Sequence, residues 1–95
     1  MKKKIVILGS TGSIGRNAVN IVKHLGGEFE VVGLAARGNI ERLSRQAREL
    51  KCRHVALADT SRQNELRKIL PANCIIHAGQ TGILEIATLS EADLV

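Results

Sequence analysis

Two kinds of apolar pattern alternate along the chain. Short continuous apolar runs, rich in β-branched residues, occupy residues 4–8, 30–36, 54–58 and 74–77. Runs of this length predict strands that are buried on both faces, as in a parallel sheet. Between the runs, apolar residues recur every three or four positions, which predicts amphipathic helices. The predicted apolar stripes are Ile14, Ala18, Ile21, Val22 and Leu25 in the first helix; Ile40, Leu43, Ala47 and Leu50 in the second; Leu66, Ile69 and Leu70 in the third; and Ile83, Leu84, Ile86, Ala87 and Leu89 in the fourth.

Glycine, proline and capping residues predict where these helices begin and end. Residues 26–27 are both glycine and end the first helix, because glycine is favoured just past a helix terminus. Asn39 is a good N-cap for the second helix. Thr60 or Ser61 is predicted to cap the third helix, and Pro71 ends it.

The order of the elements predicts an α/β fold, a Rossmann-like doubly wound parallel sheet with helices on both faces. The first strand is expected to lie centrally, with the second and third strands to one side. Residues 79–82 (GQTG) predict a turn before the last helix, and residues 91–95 (EADLV) predict the approach to a fifth strand. Because the chain stops inside that strand, residues 1–95 are expected to be an incomplete domain, a fragment of something longer.

A glycine-rich segment joins the first strand to the first helix. Residues 9–15 read GSTGSIG, with a glycine at every third position. Gly9 allows a sharp turn out of the strand, Gly12 allows close approach of a pyrophosphate, and Gly15 allows the helix to pack on the strand. The helix N-terminus then offers amides and a partial positive charge to phosphates. The alternative is a glycine-rich turn that holds no ligand. The cofactor-binding residues predicted here are Gly9, Ser10, Thr11, Gly12, Ser13, Ile14 and Gly15.

The end of the second strand indicates which dinucleotide this corner accepts. An NAD site carries an acidic residue there, about 20 residues past the glycines, to bind the ribose 2′-hydroxyl. Here the sequence is Ala36, Arg37, Gly38 and Asn39, with no carboxylate. An arginine can instead form forked charged hydrogen bonds to a 2′-phosphate. The four residues therefore predict NADP(H) rather than NAD, and the alternative is that Arg37 is a surface arginine.

Composition narrows the possible functions. The net charge is +5, but the basic residues are dispersed and only 1% of residues are aromatic. A single-stranded nucleic-acid platform would need several aromatic side chains, so a nucleic-acid module is disfavoured. The two cysteines are far apart, which predicts free thiols in a reducing compartment. No secretory or membrane-spanning segment is evident, so a cytoplasmic location is expected. The three histidines have no partner at catalytic spacing and are assigned no role.

Residues 7–15 (ILGSTGSIG) resemble the amino-terminal signature of the 1-deoxy-D-xylulose 5-phosphate reductoisomerase family. Residues 35–39 (AARGN), 55–59 (VALAD) and 92–95 (ADLV) fit the same family in the same order. The resemblance implies an NADPH-dependent enzyme of the non-mevalonate isoprenoid pathway, usually a homodimer. It would rearrange 1-deoxy-D-xylulose 5-phosphate and reduce the intermediate aldehyde to 2-C-methyl-D-erythritol 4-phosphate.

The resemblance also implies that this chain lacks the family's catalytic and carboxy-terminal domains. The family's divalent metal, Mg²⁺ or Mn²⁺, and its substrate phosphate bind to residues beyond residue 95. The chain is therefore expected to bind NADPH and to have no catalytic or metal-binding residues of its own. Two alternatives share the GxxGxxG spacing: another NADP-dependent oxidoreductase of the semialdehyde dehydrogenase type, and a non-catalytic NADP-sensing regulator.

Overall fold

The computed structural model describes residues 3–25 and 27–89, and all four predicted strands and four predicted helices are present in it. The strands are Lys3–Leu8 (β1), Phe29–Ala36 (β2), His54–Leu57 (β3) and Ile75–Ala78 (β4). The helices are Ser13–His24 (α1), Ile40–Leu50 (α2), Gln63–Ile69 (α3) and Gly79–Ala87 (α4), and a single 3-10 turn, Thr60–Arg62, precedes α3.

The strands form one parallel sheet in the order β1-β2-β3-β4. The second and third strands lie on one side of the first, as predicted. Within the described residues, however, β1 is the end strand rather than a central one, because β4 pairs with β3 and not with β1. The predicted fifth strand, residues 91–95, lies outside the described part of the chain.

Helices cover both faces of the sheet, which confirms the Rossmann-like α/β fold. The first three helices bury apolar residues against one face, in the larger of two core clusters. The opposite face is covered by α4 alone among the described helices. Gly33 of β2 makes room for α4, since a β-carbon there would lie 2.7 Å from Ile86 Cγ1. The smaller cluster consists of Val6, Val32, Ala35, Ala56 and Ile86.

The buried side of α1 matches the predicted stripe only in part, since Val22 is buried and Ala18 packs on the core. Gly15, Val19 and Val22 face the core, whereas Ile14 is 84% exposed and Ile21 is 58% exposed. The close contact of Gly15 with the preceding turn sets the rotation of the helix. The buried face of the helix therefore passes through Gly15 and Val22, which are one position after Ile14 and Ile21.

Two predicted boundaries are wrong. The residue that caps the third helical segment is Asp59, because its Oδ1 accepts a hydrogen bond from the Ser61 amide at 3.1 Å. Residues 79–82 are not a separate turn but the first turn of α4. A positive φ of 72° at Gly79 turns the chain from strand into helix within one residue.

Cys52 and Cys74 are both buried thiols that form no disulfide, in agreement with the sequence prediction. Burial raises the pKa of the Cys74 thiol above its ordinary value. In the part of the chain that the structure describes, no helix has the length and apolar composition needed to cross a bilayer.

Candidate functional site

The glycine-rich corner is a tight connection between β1 and α1. Gly9 has φ +69°, a conformation that favours glycine. A β-carbon on Gly15 would lie only 2.0 Å from the Gly9 carbonyl oxygen, so only glycine fits at the first turn of α1. Gly9 therefore has the turning conformation predicted for it, whereas Gly15 packs against the turn residues Gly9 and Ser10 rather than against the β1 strand. A β-carbon on Gly12 would lie 3.5 Å from the same oxygen, which is an ordinary contact. Access for a pyrophosphate at Gly12 stays a prediction.

Ser10 lies beneath this corner rather than on its open surface. Its amide donates to the Ala35 carbonyl at 2.9 Å, and its own carbonyl accepts from Gln46 Nε2 at 2.8 Å. Its side chain is fully buried, and its hydroxyl has no hydrogen-bond partner among the described residues. Of the three hydroxyl residues predicted here, Thr11 is half-buried and Ser13 is exposed. Hydroxyl donors to an anion at this corner would therefore come from Thr11 and Ser13.

The N-terminus of α1 is open to an anion. Its N-cap is Gly12, no side chain caps it, and its first turn contains no acidic residue. Arg16, the fourth residue of α1, is the first whose amide donates along the helix, to the Gly12 carbonyl at 2.8 Å. The unpaired amides and the positive end of the helix dipole form an arrangement that binds phosphate in other α/β proteins.

The backbone of the loop after β2 is fixed by hydrogen bonds to the end of β3, and the Arg37 side chain of this loop is exposed. The Ala36 carbonyl accepts from the Ala58 amide at 3.0 Å, and the Arg37 carbonyl accepts from the Asp59 amide at 2.8 Å. Ala36 is buried and Arg37 is exposed. Within the described ranges the Arg37 guanidinium has no ion-pair or hydrogen-bond partner. The backbone of the loop is fixed while its cation remains available.

Two neighbours further define this loop. Asn39 caps α2 by accepting the Arg42 amide on Oδ1 at 3.1 Å, which leaves its side-chain NH₂ as a donor. Arg62 supports the loop from the side of α3, because its Nη1 donates to the Gly38 carbonyl at 3.0 Å. Its Nη2 lies 3.4 Å from a carboxylate oxygen of Glu41. Arg62 is thus committed to internal contacts, unlike Arg37.

Asp59 brings a carboxylate close to the same loop, although its position in the sequence predicted no role in the site. A β-carbon on Gly38 would lie 3.7 Å from Asp59 Oδ2. Hydrogen bonds from the Ser61 side chain and backbone lower the pKa of Asp59 below its ordinary value, and the nearby Arg62 charge acts in the same direction. The carboxylate is therefore ionised at neutral pH beside the predicted phosphate loop.

A cavity of about 220 Å³ lies between the two turns, at the carboxyl ends of the strands. This edge is where α/β proteins of this type bind their ligands. A larger groove of about 440 Å³ between α1 and α2 reaches the start of α1 at Ser13, but it extends along the outer surface of the two helices as far as Lys23 and Glu49. We therefore place the site by topology rather than by volume. The residues around the smaller cavity are Leu8, Gly9, Ala35, Ala36, Arg37, Ala58, Gln80 and Ile83.

Two histidines meet on the neighbouring strands β3 and β4. His54 Nδ1 lies 3.2 Å from His77 Nε2, and His77 Nδ1 lies 3.6 Å from a Glu85 carboxylate oxygen. The two histidines carry no joint signal in the sequence, since the pairing of β3 with β4 is what brings them together. No set of three possible metal ligands occurs in residues 3–25 and 27–89.

Comparison with known proteins gives one consistent family. The family profile described as "1-deoxy-D-xylulose 5-phosphate reductoisomerase" matches residues 5–95. The chain is 45% identical over 93 residues to the protein of that name from Thermoanaerobacter sp. (strain X514), and 43% identical to that from Thermodesulfovibrio yellowstonii. Each match covers 98% of this chain and 24% of the relative, so the chain spans about a quarter of their length.

Solved structures of this family have the same fold. The enzyme from Zymomonas mobilis in complex with NADPH superposes with a TM-score of 0.90 at 25% identity, covering 96% of this chain and 24% of that one. A reductoisomerase in complex with NADPH, fosmidomycin and magnesium superposes with a TM-score of 0.89 at 25% identity, covering 97% and 23%.

Proposed function

The chain belongs to the 1-deoxy-D-xylulose 5-phosphate reductoisomerase family, and we propose that it forms the NADPH-binding part of such an enzyme. One observation carries the proposal. An uncapped helix N-terminus and a turn bearing a free arginine stand side by side at the carboxyl edge of a parallel sheet. The Ser10 amide bonds directly to Ala35 near the end of β2, which joins the two turns.

We assign the pyrophosphate of NADPH to the first of these turns. Thr11, Ser13 and Ile14 would supply amides and hydroxyls to it, and Gly12, whose amide donates to the Gly9 carbonyl, would leave space for it. No acidic side chain in the first turn of α1 opposes a negative charge. Gly9, Ser10 and Gly15 would shape this turn from beneath. Support comes from the burial of Ser10, the positive φ of Gly9 and the contact of Gly15 with Gly9.

We assign the adenosine ribose and its 2′-phosphate to the second turn. Arg37 would pair with the phosphate as a forked charged donor, and Asn39 would add the NH₂ that its capping bond leaves free. Gly38 leaves space beside Asp59, and Ala36 would form the floor beneath the ribose. A carboxylate that would select NAD does not follow β2 directly. The Asp59 carboxylate beside Gly38 comes from the end of β3.

The chemistry belongs to the whole enzyme in this proposal. That enzyme would rearrange 1-deoxy-D-xylulose 5-phosphate and reduce the resulting aldehyde to 2-C-methyl-D-erythritol 4-phosphate, with Mg²⁺ or Mn²⁺ bound by residues after residue 95. When bound, NADPH supplies the hydride for the reduction. We further propose that the whole enzyme is a homodimer and works in the cytoplasm. Residues 1–95 would hold the hydride donor and would have no turnover alone.

Calorimetric titration of the chain with NADPH and with NADH tests the proposal. The proposed pairing of Arg37 with the 2′-phosphate is worth about 1.5–3 kcal/mol, so NADPH is expected to bind at least about tenfold more tightly than NADH. Circular dichroism on the same sample establishes that the chain is folded. Equal affinities, or no binding of either nucleotide by the folded chain, would overturn the proposal.

A further inference from the structure

We propose that Gln46 is a positioning residue that aims the Thr11 amide at the pyrophosphate of the cofactor. This inference rests on the proposed NADPH site. Gln46 lies on α2 and is 6% exposed, and its one side-chain hydrogen bond among the described residues goes to the backbone carbonyl of Ser10. Its role therefore acts through the backbone of the corner rather than through the ligand.

The first step is the anchoring of Ser10 on both sides. The Ser10 amide donates to the Ala35 carbonyl at 2.9 Å, which fixes the peptide before Ser10 to β2. Gln46 Nε2 donates to the Ser10 carbonyl at 2.8 Å, which fixes the peptide after Ser10 to α2. The Gly12 amide closes the turn by donating to the Gly9 carbonyl at 3.0 Å, but this bond leaves the central Ser10–Thr11 peptide able to take either of two orientations, because β-turn types I and II differ in that peptide.

The second step is the geometry of the peptide unit. The Ser10 carbonyl and the Thr11 amide belong to one planar trans unit, so they point in opposite directions. Gln46 is buried, and the carbonyl bonded to it therefore points into the domain. The Thr11 N–H must then point outward, and it has no backbone acceptor among the described residues. The hydrogen bond from Gln46 thus sets the direction of an amide on the other side of the same peptide.

The third step concerns what Gln46 does not do. Its Oε1 is buried and has no hydrogen-bond partner in the part of the chain described. A buried acceptor without a partner is unfavourable, so this glutamine is poorly suited to a purely structural role. Replacing Gln46 with methionine removes the unpaired Oε1, but it also removes the Nε2 donor and so leaves the Ser10 carbonyl without this hydrogen bond. The two effects on stability oppose each other. Folding stability is therefore expected to change little, whereas the orientation of the Thr11 amide is expected to change.

The test compares Q46M with a matched control, S44A, in the full chain. Ser44 is also buried on α2 and also bonds to a carbonyl, that of Ile69 at 3.0 Å, but it lies away from the glycine corner. Three quantities are measured for each variant: the dissociation constants for NADPH and for adenosine 2′-monophosphate, and the residual dipolar coupling of the Thr11 N–H without ligand.

We expect Q46M to weaken NADPH binding about tenfold, the loss typical of one donor to a charged group. The affinity for adenosine 2′-monophosphate should stay within about twofold, because this ligand has no pyrophosphate for the Thr11 amide to contact. The Thr11 coupling should change in Q46M, and S44A should change none of the three quantities. If Q46M does not fold, Q46N replaces it, because its amide is one methylene too short to reach Ser10.

The outcomes separate this inference from the proposed function. A wild-type chain that binds NADPH together with a Q46M or Q46N variant that binds it equally well would overturn the role of Gln46 and leave the proposed function standing. An unchanged Thr11 coupling would overturn it too. A folded wild-type chain that binds no NADPH would overturn both.

Discussion

Gly15 touches the backbone of Gly9 so closely that no side chain can be placed between them. A β-carbon on Gly15 would lie 2.0 Å from the Gly9 carbonyl oxygen and 2.6 Å from the α-carbon of Ser10. Both are backbone atoms, and the Ser10 backbone is itself held by Ala35 and Gln46. This contact sets the rotation of α1 and therefore the direction in which its N-terminus faces.

Changing Gly15 to alanine should destabilise the fold. The added carbon must push α1 away from the corner, since the opposing atoms belong to a fixed backbone. Overpacking of this kind costs about 1–3 kcal/mol or more in the free energy of unfolding. Urea denaturation checks this, with Gly27→Ala as the control because a β-carbon there would meet nothing within 4 Å. An unfolding free energy equal to that of the control would contradict the prediction.

Changing Gly12 to valine should abolish cofactor binding without unfolding the chain. Gly12 has φ −78° and ψ 174°, a conformation open to any residue, and a β-carbon added there makes only an ordinary contact. Stability should therefore stay within about 1 kcal/mol of wild type. The side chain would occupy the space predicted for the pyrophosphate, so calorimetry should show loss of both NADPH and NADH. Retained binding of either nucleotide would argue that the pyrophosphate lies elsewhere.

Most of the fold could be predicted from the sequence because its signals are local. The apolar runs and the helical stripes predicted every strand and α-helix that the structure describes. The errors arose where a tertiary contact overrides a local preference. The contact of Gly15 with Gly9 turns Ile14 and Ile21 of α1 away from the core, and the position of β4 beside β3 rather than β1 depends on how whole elements pack, which no local pattern records.

Gly82 should be less tolerant of substitution than Gly33. A β-carbon on Gly82 would lie 2.4 Å from the carbonyl carbon of His77, which belongs to β4. The corresponding carbon on Gly33 would meet the Ile86 side chain at 2.7 Å, and a side chain can shift more readily than the backbone of a paired strand. Gly82→Ala is therefore expected to lower the unfolding free energy by about 1 kcal/mol more than Gly33→Ala. Parallel chemical denaturation of the two variants measures the difference, and the reverse order would refute this reasoning.

Removing Arg37, the arginine after β2, should weaken the binding of NADPH but not that of NADH. Arg37→Ala is expected to weaken NADPH binding by about 1.5–3 kcal/mol, because a charged hydrogen bond to the 2′-phosphate is lost, and to spare NADH. Arg53→Ala is the matched control: it removes the same charge from an exposed residue just before β3, at the opposite edge of the sheet. Calorimetry on both variants tests this. An equal loss in the two variants would indicate a general effect of net charge.

The candidate site could be predicted only in part, for a reason that Gln46 and Asp59 illustrate. Residues next to each other in sequence, such as those of the glycine corner, carry a recognisable spacing. Gln46 meets Ser10 across 36 positions, and its place on α2 resembles that of any polar helix residue. Asp59 approaches Gly38 only because β2 and β3 are paired. No sequence pattern in a single chain marks either contact.

The Asp59 carboxylate should titrate below its ordinary range, and Ser61 should be the cause. The Ser61 side chain and amide both donate to Asp59 Oδ1, and they lower its pKa. A lowered folded-state pKa means that the stabilising contribution is complete above the ordinary aspartate value of about 3.9 and is lost as the pH falls through the lower value. Ser61→Ala should therefore raise the pKa of Asp59, which a carbon-detected NMR titration of the carboxyl group measures.

Because the ionised carboxylate lies beside Gly38, Asp59→Asn should also strengthen binding of NADPH relative to NADH, while keeping an oxygen that can cap the turn. A pKa that does not move in Ser61→Ala would exclude this hydrogen bond as the cause, and an unchanged preference in Asp59→Asn would place the 2′-phosphate away from this loop.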